Sequence, residues 1–265
     1  MEVFDASNNN LWGTLAREFF KDKLRVLDLN GNKMGGILPE FPENYSLEHL
    51  ALQNNHFCDD VPTSISNLRT LTHLDLSNNK LTGSIPVSLG DMALLTYLSV
   101  SVNPFDPSPI PSFLQGLTSL KELSLRDTGL FGTIPYWIEA MKGLILLDLV
   151  GNILEGTLPA QAFAEMQNLT VVQLSNNALE GAIPKVFAEL PKLSMLTVGD
   201  NNFEKLEDGF CIEALDFIQS DDSIFTGDCD KIPSPLNCFI ECCNEGECPK
   251  NLMASQDLQW DHGYG

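Results

Sequence analysis

Asparagine returns along this chain every 23 to 25 residues, at Asn9, Asn32, Asn55, Asn79, Asn103, Asn152, Asn177 and Asn201, with Thr128 filling the one gap. A fixed period in this range specifies stacked structural units, each of which contacts only its neighbours. The same fact bears on function. Stacked units present an elongated surface for binding and rarely build an enclosed catalytic pocket.

The segment from Leu71 to Pro86 carries the unit in its clearest form, L-x-x-L-x-L-x-x-N-x-L-x-G-x-I-P. The first leucine column is Leu24, Leu47, Leu71, Leu95, Leu120, Leu144, Leu169 and Leu193. The second is Leu27, Leu50, Leu74, Leu98, Leu123, Leu147, Val172 and Leu196, and the third is Leu29, Leu52, Leu76, Val100, Leu125, Leu149, Leu174 and Val198. The second and third columns lie two residues apart, so they point to one face of a short strand. Each buried aliphatic there is worth about 1.5–3 kcal/mol, but a single unit has nothing to bury against. Stability therefore needs neighbours, with parallel strands stacked about 4.8 Å apart.

After each strand the chain must bend inward, which buries backbone polar groups. An asparagine amide carries two donors and an acceptor and can satisfy them. Asn32, Asn55, Asn79, Asn103, Asn152, Asn177 and Asn201 are accordingly expected to form a structural ladder with no direct role in binding. Thr128 is its expected weak rung. A glycine column (Gly13, Gly36, Gly83, Gly132, Gly156, Gly181) suits a tight turn of positive φ, and Asp59 and Pro107 interrupt it. The apolar-Pro step at Val61-Pro62, Ile85-Pro86, Ile110-Pro111, Ile134-Pro135, Leu158-Pro159 and Ile183-Pro184 blocks a long helix. The unit containing Asn103 has one extra residue between Pro104 and Pro111, which predicts a local bulge.

These columns resemble the plant-type class of the leucine-rich repeat family, marked by the G-x-I-P segment, over residues 3–203. The resemblance implies an α/β right-handed curved solenoid. Its concave face would carry a parallel sheet of short strands, and its convex side irregular, 3-10 or short helical segments. It implies little about function, because the family is a general binding scaffold. The expected organisation is an array over 1–203, with a partial first repeat and about eight more. An acidic cysteine-rich cap over 204–250 and a flexible tail over 251–265 would follow. Phe4, Ala6, Asn9, Leu11 and Gly13 already fit the pattern, so the chain starts inside a repeat. A piece of a longer protein is therefore expected, and the lack of a basic and apolar leader before Asp5 says little about location.

The formal charge is −21, and from Glu204 onward fourteen acidic residues face three lysines. Such a field argues against nucleic acid and anionic membranes and tolerates cationic partners. No apolar run approaches the ~20 residues of a membrane helix, so no direct membrane insertion is expected here.

Six of the seven cysteines, Cys211, Cys229, Cys238, Cys242, Cys243 and Cys248, lie in the tail, where Ile212, Leu215 and Phe217 repeat the leucine spacing once more. A degenerate last strand followed by a disulfide-stapled cap is the leading reading, with connectivity open. A metal site at Cys238-x3-Cys242-Cys243-x4-Cys248 lacks the usual zinc spacing and a nearby histidine. Reduced thiols are the other alternative. The D-C followed by C-x3-C-C pattern over 206–248 is similar to the ends of leucine-rich repeat proteins of diatoms and related algae. That resemblance implies a secreted or surface-exposed array. Two glycosylation acceptors, Asn44-Tyr45-Ser46 and Asn168-Leu169-Thr170, fit this setting. Cys58 stands apart and is expected to be an unpaired thiol or an intermolecular link.

No catalytic signature is present: no phosphate loop, nucleophile elbow or H-E-x-x-H helix. No cofactor is expected. Binding residues should lie beside the second leucine column, pointing away from the core. His49, His73, Asp75, Tyr97, Glu122 and Arg126 make a polar and aromatic centre, and Leu146, Val150, Val171 and Met195 an exposed apolar patch. Apolar patches mark interaction sites, and Tyr and Arg are favoured anchors. Replacing Tyr97 and Arg126 together with alanine should cut binding with little change in melting temperature. His49 and His73 raise the options of pH-sensitive binding or, more remotely, a metal pair.

The expected function is non-enzymatic extracellular or surface recognition of a protein, peptide or glycan, as part of a receptor-like parent. An inhibitor of a secreted enzyme and an intracellular scaffold are the alternatives. Ice binding needs a flat, regular polar array, which these columns do not supply. Oligomeric state is left open.

Overall fold

A computed structural model describes residues 2–21, 23–207, 210 and 224–226. The six tail cysteines, the Ile212–Phe217 spacing and the tail beyond 250 lie outside the described residues, as do most of the expected cap's 47 positions from 204 to 250.

Ten three-residue strands make one parallel sheet in chain order: Val3–Asp5, Val26–Asp28, His49–Ala51, His73–Asp75, Tyr97–Ser99, Glu122–Ser124, Leu146–Asp148, Val171–Gln173, Met195–Thr197 and Ile224–Thr226. Register is constant, so Leu27, Leu50, Leu74, Leu98, Leu123, Leu147, Val172 and Leu196 pair one with the next. All three leucine columns are buried in a single continuous core. The tenth place in the sheet goes to Ile224–Thr226, with Phe225 opposite Leu196. The Ile-Phe-Thr segment has the β-branched and aromatic residues that suit a pleated strand.

The strands are short because the chain turns sharply just before each ladder position. Asn8, Gly31, Asn54, Asn78, Val102, Asp127, Gly151, Asn176 and Asp200 all have positive φ, between 50 and 70°. The turn then delivers the asparagine amide inward. Asn55 Nδ2 donates to Leu52 O at 3.1 Å and to Leu29 O of the preceding repeat at 2.9 Å. Its Oδ1 accepts the Met34 N–H at 3.0 Å. Asn79, Asn103, Asn152, Asn177 and Asn201 repeat this geometry, each accepting an N–H of the repeat before at 3.0 Å.

A second parallel ladder, which the leucine columns do not announce, runs along the array just after these amides. It is split into four strands (Trp12–Gly13, Lys33–Ile37, His56–Asp60, Lys80–Thr82) and five (Ser108–Pro109, Leu130–Gly132, Ile153–Gly156, Ala178–Ile183, Asn202–Leu206). The split falls at the extra residue between Pro104 and Pro111. It also falls beside the lapse at Thr128, and the two are one event. The N–H that a ladder asparagine at 128 would receive belongs to Phe105, which instead donates to Asn103 O at 2.9 Å. Thr128 needs no amide acceptor there, and its hydroxyl donates to Leu125 O at 2.7 Å.

The glycine turns of this ladder have positive φ, and Asp59 keeps the same conformation (φ 64°) without being glycine. Gly83 is held to glycine by space as well, since a Cβ there would collide with the Asp60 carboxylate. On the opposite side, Pro62, Pro86, Pro111 and Pro135 each open a five-residue 3-10 helix. Pro159 opens the α-helix Ala160–Ala164, and the α-helix Val186–Glu189 follows. Each helix drops one large side chain (Ile65, Leu89, Leu114, Ile138, Phe163, Phe187) into the core. The proline fixes φ and lacks an N–H, which suits a helix start.

Candidate functional site

The open face of the ten-stranded sheet gathers the expected residues into rows. His49, His73, Tyr97, Glu122, Leu146, Val171 and Met195 occupy equivalent positions on consecutive strands and form one row across the sheet. Identical register forces the rings together. His49 and His73 stack at 4.0 Å between centroids with planes 16° apart, and His73 and Tyr97 stack at 4.1 Å and 12°. Nitrogen lone pairs lie in the ring plane, so two nearly parallel imidazoles do not converge on one ion. Among the described residues no group of three or more His, Cys, Asp or Glu could hold a metal ion.

The next row holds Ala51, Asp75, Ser99, Ser124 and Asp148. Asp75 Oδ1 accepts the Ser77 N–H at 2.9 Å and its hydroxyl at 2.6 Å, while Oδ2 accepts the Tyr97 hydroxyl at 3.2 Å. Burial, then the Asp75 charge, push the Tyr97 hydroxyl well above its ordinary pKa, so it stays a donor. Asp148 does the equivalent work further along. Its Oδ2 accepts Arg126 Nε at 3.2 Å and the Ser124 hydroxyl at 2.9 Å, and its Oδ1 accepts the Val150 N–H at 3.1 Å. Ser101 joins the chain, 2.7 Å from Ser124 Oγ and accepting the Arg126 N–H at 3.0 Å.

One expectation changes. Leu146 is only 5% exposed, packed within its row, so the apolar patch reduces to Val150, Val171 and Met195, all half-buried. Tyr97 stacks on His73 and donates to Asp75, and Arg126 pairs with Asp148. The two glycosylation acceptors differ. Asn44 is exposed in a turn with φ 57°. Asn168 has both amide atoms engaged, Nδ2 donating to Lys142 O at 3.0 Å and Oδ1 accepting Lys192 Nζ at 2.7 Å. Cys58 is a half-buried free thiol.

Two residues of this face escape sequence reasoning. Asp148 reads as one more polar position, and only the fold shows it anchoring Arg126. Val102 reads as a loop residue, yet it is 41% exposed with φ 53°, a conformation costly for a β-branched side chain. The signal was the residue before each ladder asparagine, which elsewhere is Asn, Asp or Gly.

Fold and face together define a repeat solenoid with one long open sheet surface. The chain belongs to the plant-type leucine-rich repeat family. The family models described as leucine rich repeat match residues 45–105, 156–203 and 23–45. Receptor-like protein 13 of Arabidopsis thaliana is 32% identical over 178 residues, 66% of this chain and 14% of the relative. The crystal structure of a TDR receptor has a TM-score of 0.73 at 30% identity, covering 79% of this chain and 37% of that one. The plant peptide hormone receptor RGFR1 in complex with RGF2 has a TM-score of 0.73 at 26% identity, covering 83% of this chain and 35% of that one. The chain thus spans a minor part of each of these proteins. No helix among the described residues is long and apolar enough to cross a membrane.

Proposed function

We propose that this chain is a non-enzymatic recognition module that binds a peptide or protein segment along the open, concave face of its ten-stranded sheet. The observation that carries this reading is the stack from His49 to Tyr97 with Arg126 beyond it, where half-buried polar and aromatic side chains are pre-set by register, by ring stacking and by the bonds of Tyr97 to Asp75 and of Arg126 to Asp148. Rotamers locked in this way lose little freedom on binding. A relative described as a receptor-like protein and a similar structure described as a peptide hormone receptor in complex favour the same use. They also favour an extracellular or surface setting, in which Asn44 would carry glycan and the tail cysteines would form disulfides.

The test is selection from a displayed peptide library, followed by charge exchange on the two faces. Glu122→Lys and Arg126→Glu should each lower the affinity of a selected peptide at least tenfold. Lys142→Glu, on the helical side, should leave it unchanged. Selected peptides that tolerate both changes on the sheet face but lose affinity with Lys142→Glu would place recognition elsewhere.

A further inference from the structure

The second parallel ladder carries exposed charge that finds no partner among the described residues. Lys33, His56 and Lys80 are the first residues of the strands Lys33–Ile37, His56–Asp60 and Lys80–Thr82. Glu155, Glu180 and Glu204 are the third residues of Ile153–Gly156, Ala178–Ile183 and Asn202–Leu206. The residue after each basic one (Met34, Phe57, Leu81) and before each glutamate (Leu154, Leu179, Phe203) is buried, so strand alternation turns all six charged or titratable side chains outward. None of the six makes a side-chain hydrogen bond or ion pair to a described residue, whereas Arg25, Arg126, Lys142 and Lys185 each hold a carboxylate. The basic residues lie on the four-stranded part of the ladder and the glutamates on the five-stranded part.

Counted from the repeat of Asn9, the basic residues occupy repeats two to four and the glutamates repeats seven to nine. A half-turn about an axis normal to the ladder, passing between repeats five and six, exchanges the two sets. It also reverses the strands, so a first position meets a third position. Lys33 then faces Glu204 of a second copy, His56 faces its Glu180, and Lys80 faces its Glu155. Near the centre, Phe131, 41% exposed, faces Pro104, and Ile153, 60% exposed, faces Thr82. Asp60 falls opposite Asn176 and Asp106 opposite Gly129, so these carboxylates meet no like charge.

We infer that this ladder joins two copies of the chain side by side and antiparallel, each strip covering the other with its halves exchanged. Such a contact is self-complementary and closes at two copies. Exposed ion pairs are individually weak, so the dimer has modest affinity even though each pairing occurs twice. The net charge of −21 opposes association, and salt at about 0.15 M screens that repulsion beyond ~8 Å. The concave face of the ten-stranded sheet stays outside the contact and remains open to a ligand.

Sedimentation velocity of the full chain in about 0.15 M salt should show the mass rising from one chain toward two between about 1 and 200 μM. Lys33→Glu with Lys80→Glu sets anion against anion and should weaken the dimer at least tenfold. Glu155→Lys with Glu204→Lys sets cation against cation and should do the same, with folding of both checked by melting temperature. An equimolar mixture of these two double variants should associate as tightly as the unaltered chain, because every opposed pair is again of opposite sign. Carbodiimide treatment of mixed nitrogen-14 and nitrogen-15 chains should link Lys80 to Glu155 and Lys33 to Glu204 between copies. A chain that stays monomeric across that range overturns the inference, as does a mixture that associates no better than either variant alone. A dimer indifferent to both double variants uses another surface and overturns it too.

Discussion

At the scale of single residues, the face is a set of side chains whose positions follow from period two, and that much was legible. Register alone places His49, His73 and Tyr97 side by side. What the sequence does not show is who covers whom. Leu146 lies in the same row as Glu122, but its neighbours bury it, and burial depends on side chains from three strands at once. The left-handed column was illegible for a different reason. Asn, Gly and Asp tolerate positive φ and mask the requirement, and only Val102 betrays it by being the wrong residue. Val102→Asn should therefore stabilise the protein by about 1 kcal/mol, read as a rise in denaturation midpoint. The new amide would also extend the row in which Asn78 Nδ2 donates to Asn54 Oδ1 at 2.6 Å. A lowered midpoint would mean that Val102 packs where the strain account has it exposed. Sequon occupancy is decided at the same scale. A secreted preparation should carry glycan at Asn44 and little at Asn168, whose amide is committed to Lys142 and Lys192. Mass spectrometry showing the reverse occupancy would contradict this.

At the scale of the element, each repeat is closed by its asparagine and joined to the last by the same amide. Asn103 donates to Leu76 O, Val100 O and Ser101 O and accepts from Leu81 N–H, all within 3.1 Å. Asn103→Ala strands those buried groups and should cost roughly 3 kcal/mol in chemical denaturation, since each orphan costs about 1–3 kcal/mol. Thr128→Asn is the informative counterpart. Judged by the column alone it should restore a rung and stabilise. The fold says otherwise, because Phe105 N–H is already bound to Asn103 O and the second ladder is broken at that point. No gain is expected, and a gain above about 1 kcal/mol would show that the ladder can be rebuilt there. The strands, the Asn ladder and the proline-led convex turns were legible because each has a fixed residue type. The second ladder was not, because its strands are backbone pairings of mixed residues such as Lys80–Thr82 and Leu130–Gly132.

At the scale of the whole molecule, a continuous core of leucine columns supports one long sheet whose outer face carries no structural duty beyond its own packing. Such a face is free to vary between proteins that share the array, which is why family membership was plain while the site was not. His49, Tyr97 and Arg126 could be picked out from the columns, but Asp148 acquires meaning only through its ion pair with Arg126. The decisive observation is hydroxyl-radical footprinting of the protein with and without a selected peptide. Oxidation of His73, Tyr97 and Met195 should fall at least threefold on binding, while exposed Tyr136 on the helical side stays unchanged. Protection of Tyr136 with no change at His73 and Tyr97 would mean that the ten-stranded face is not where this protein recognises its partner.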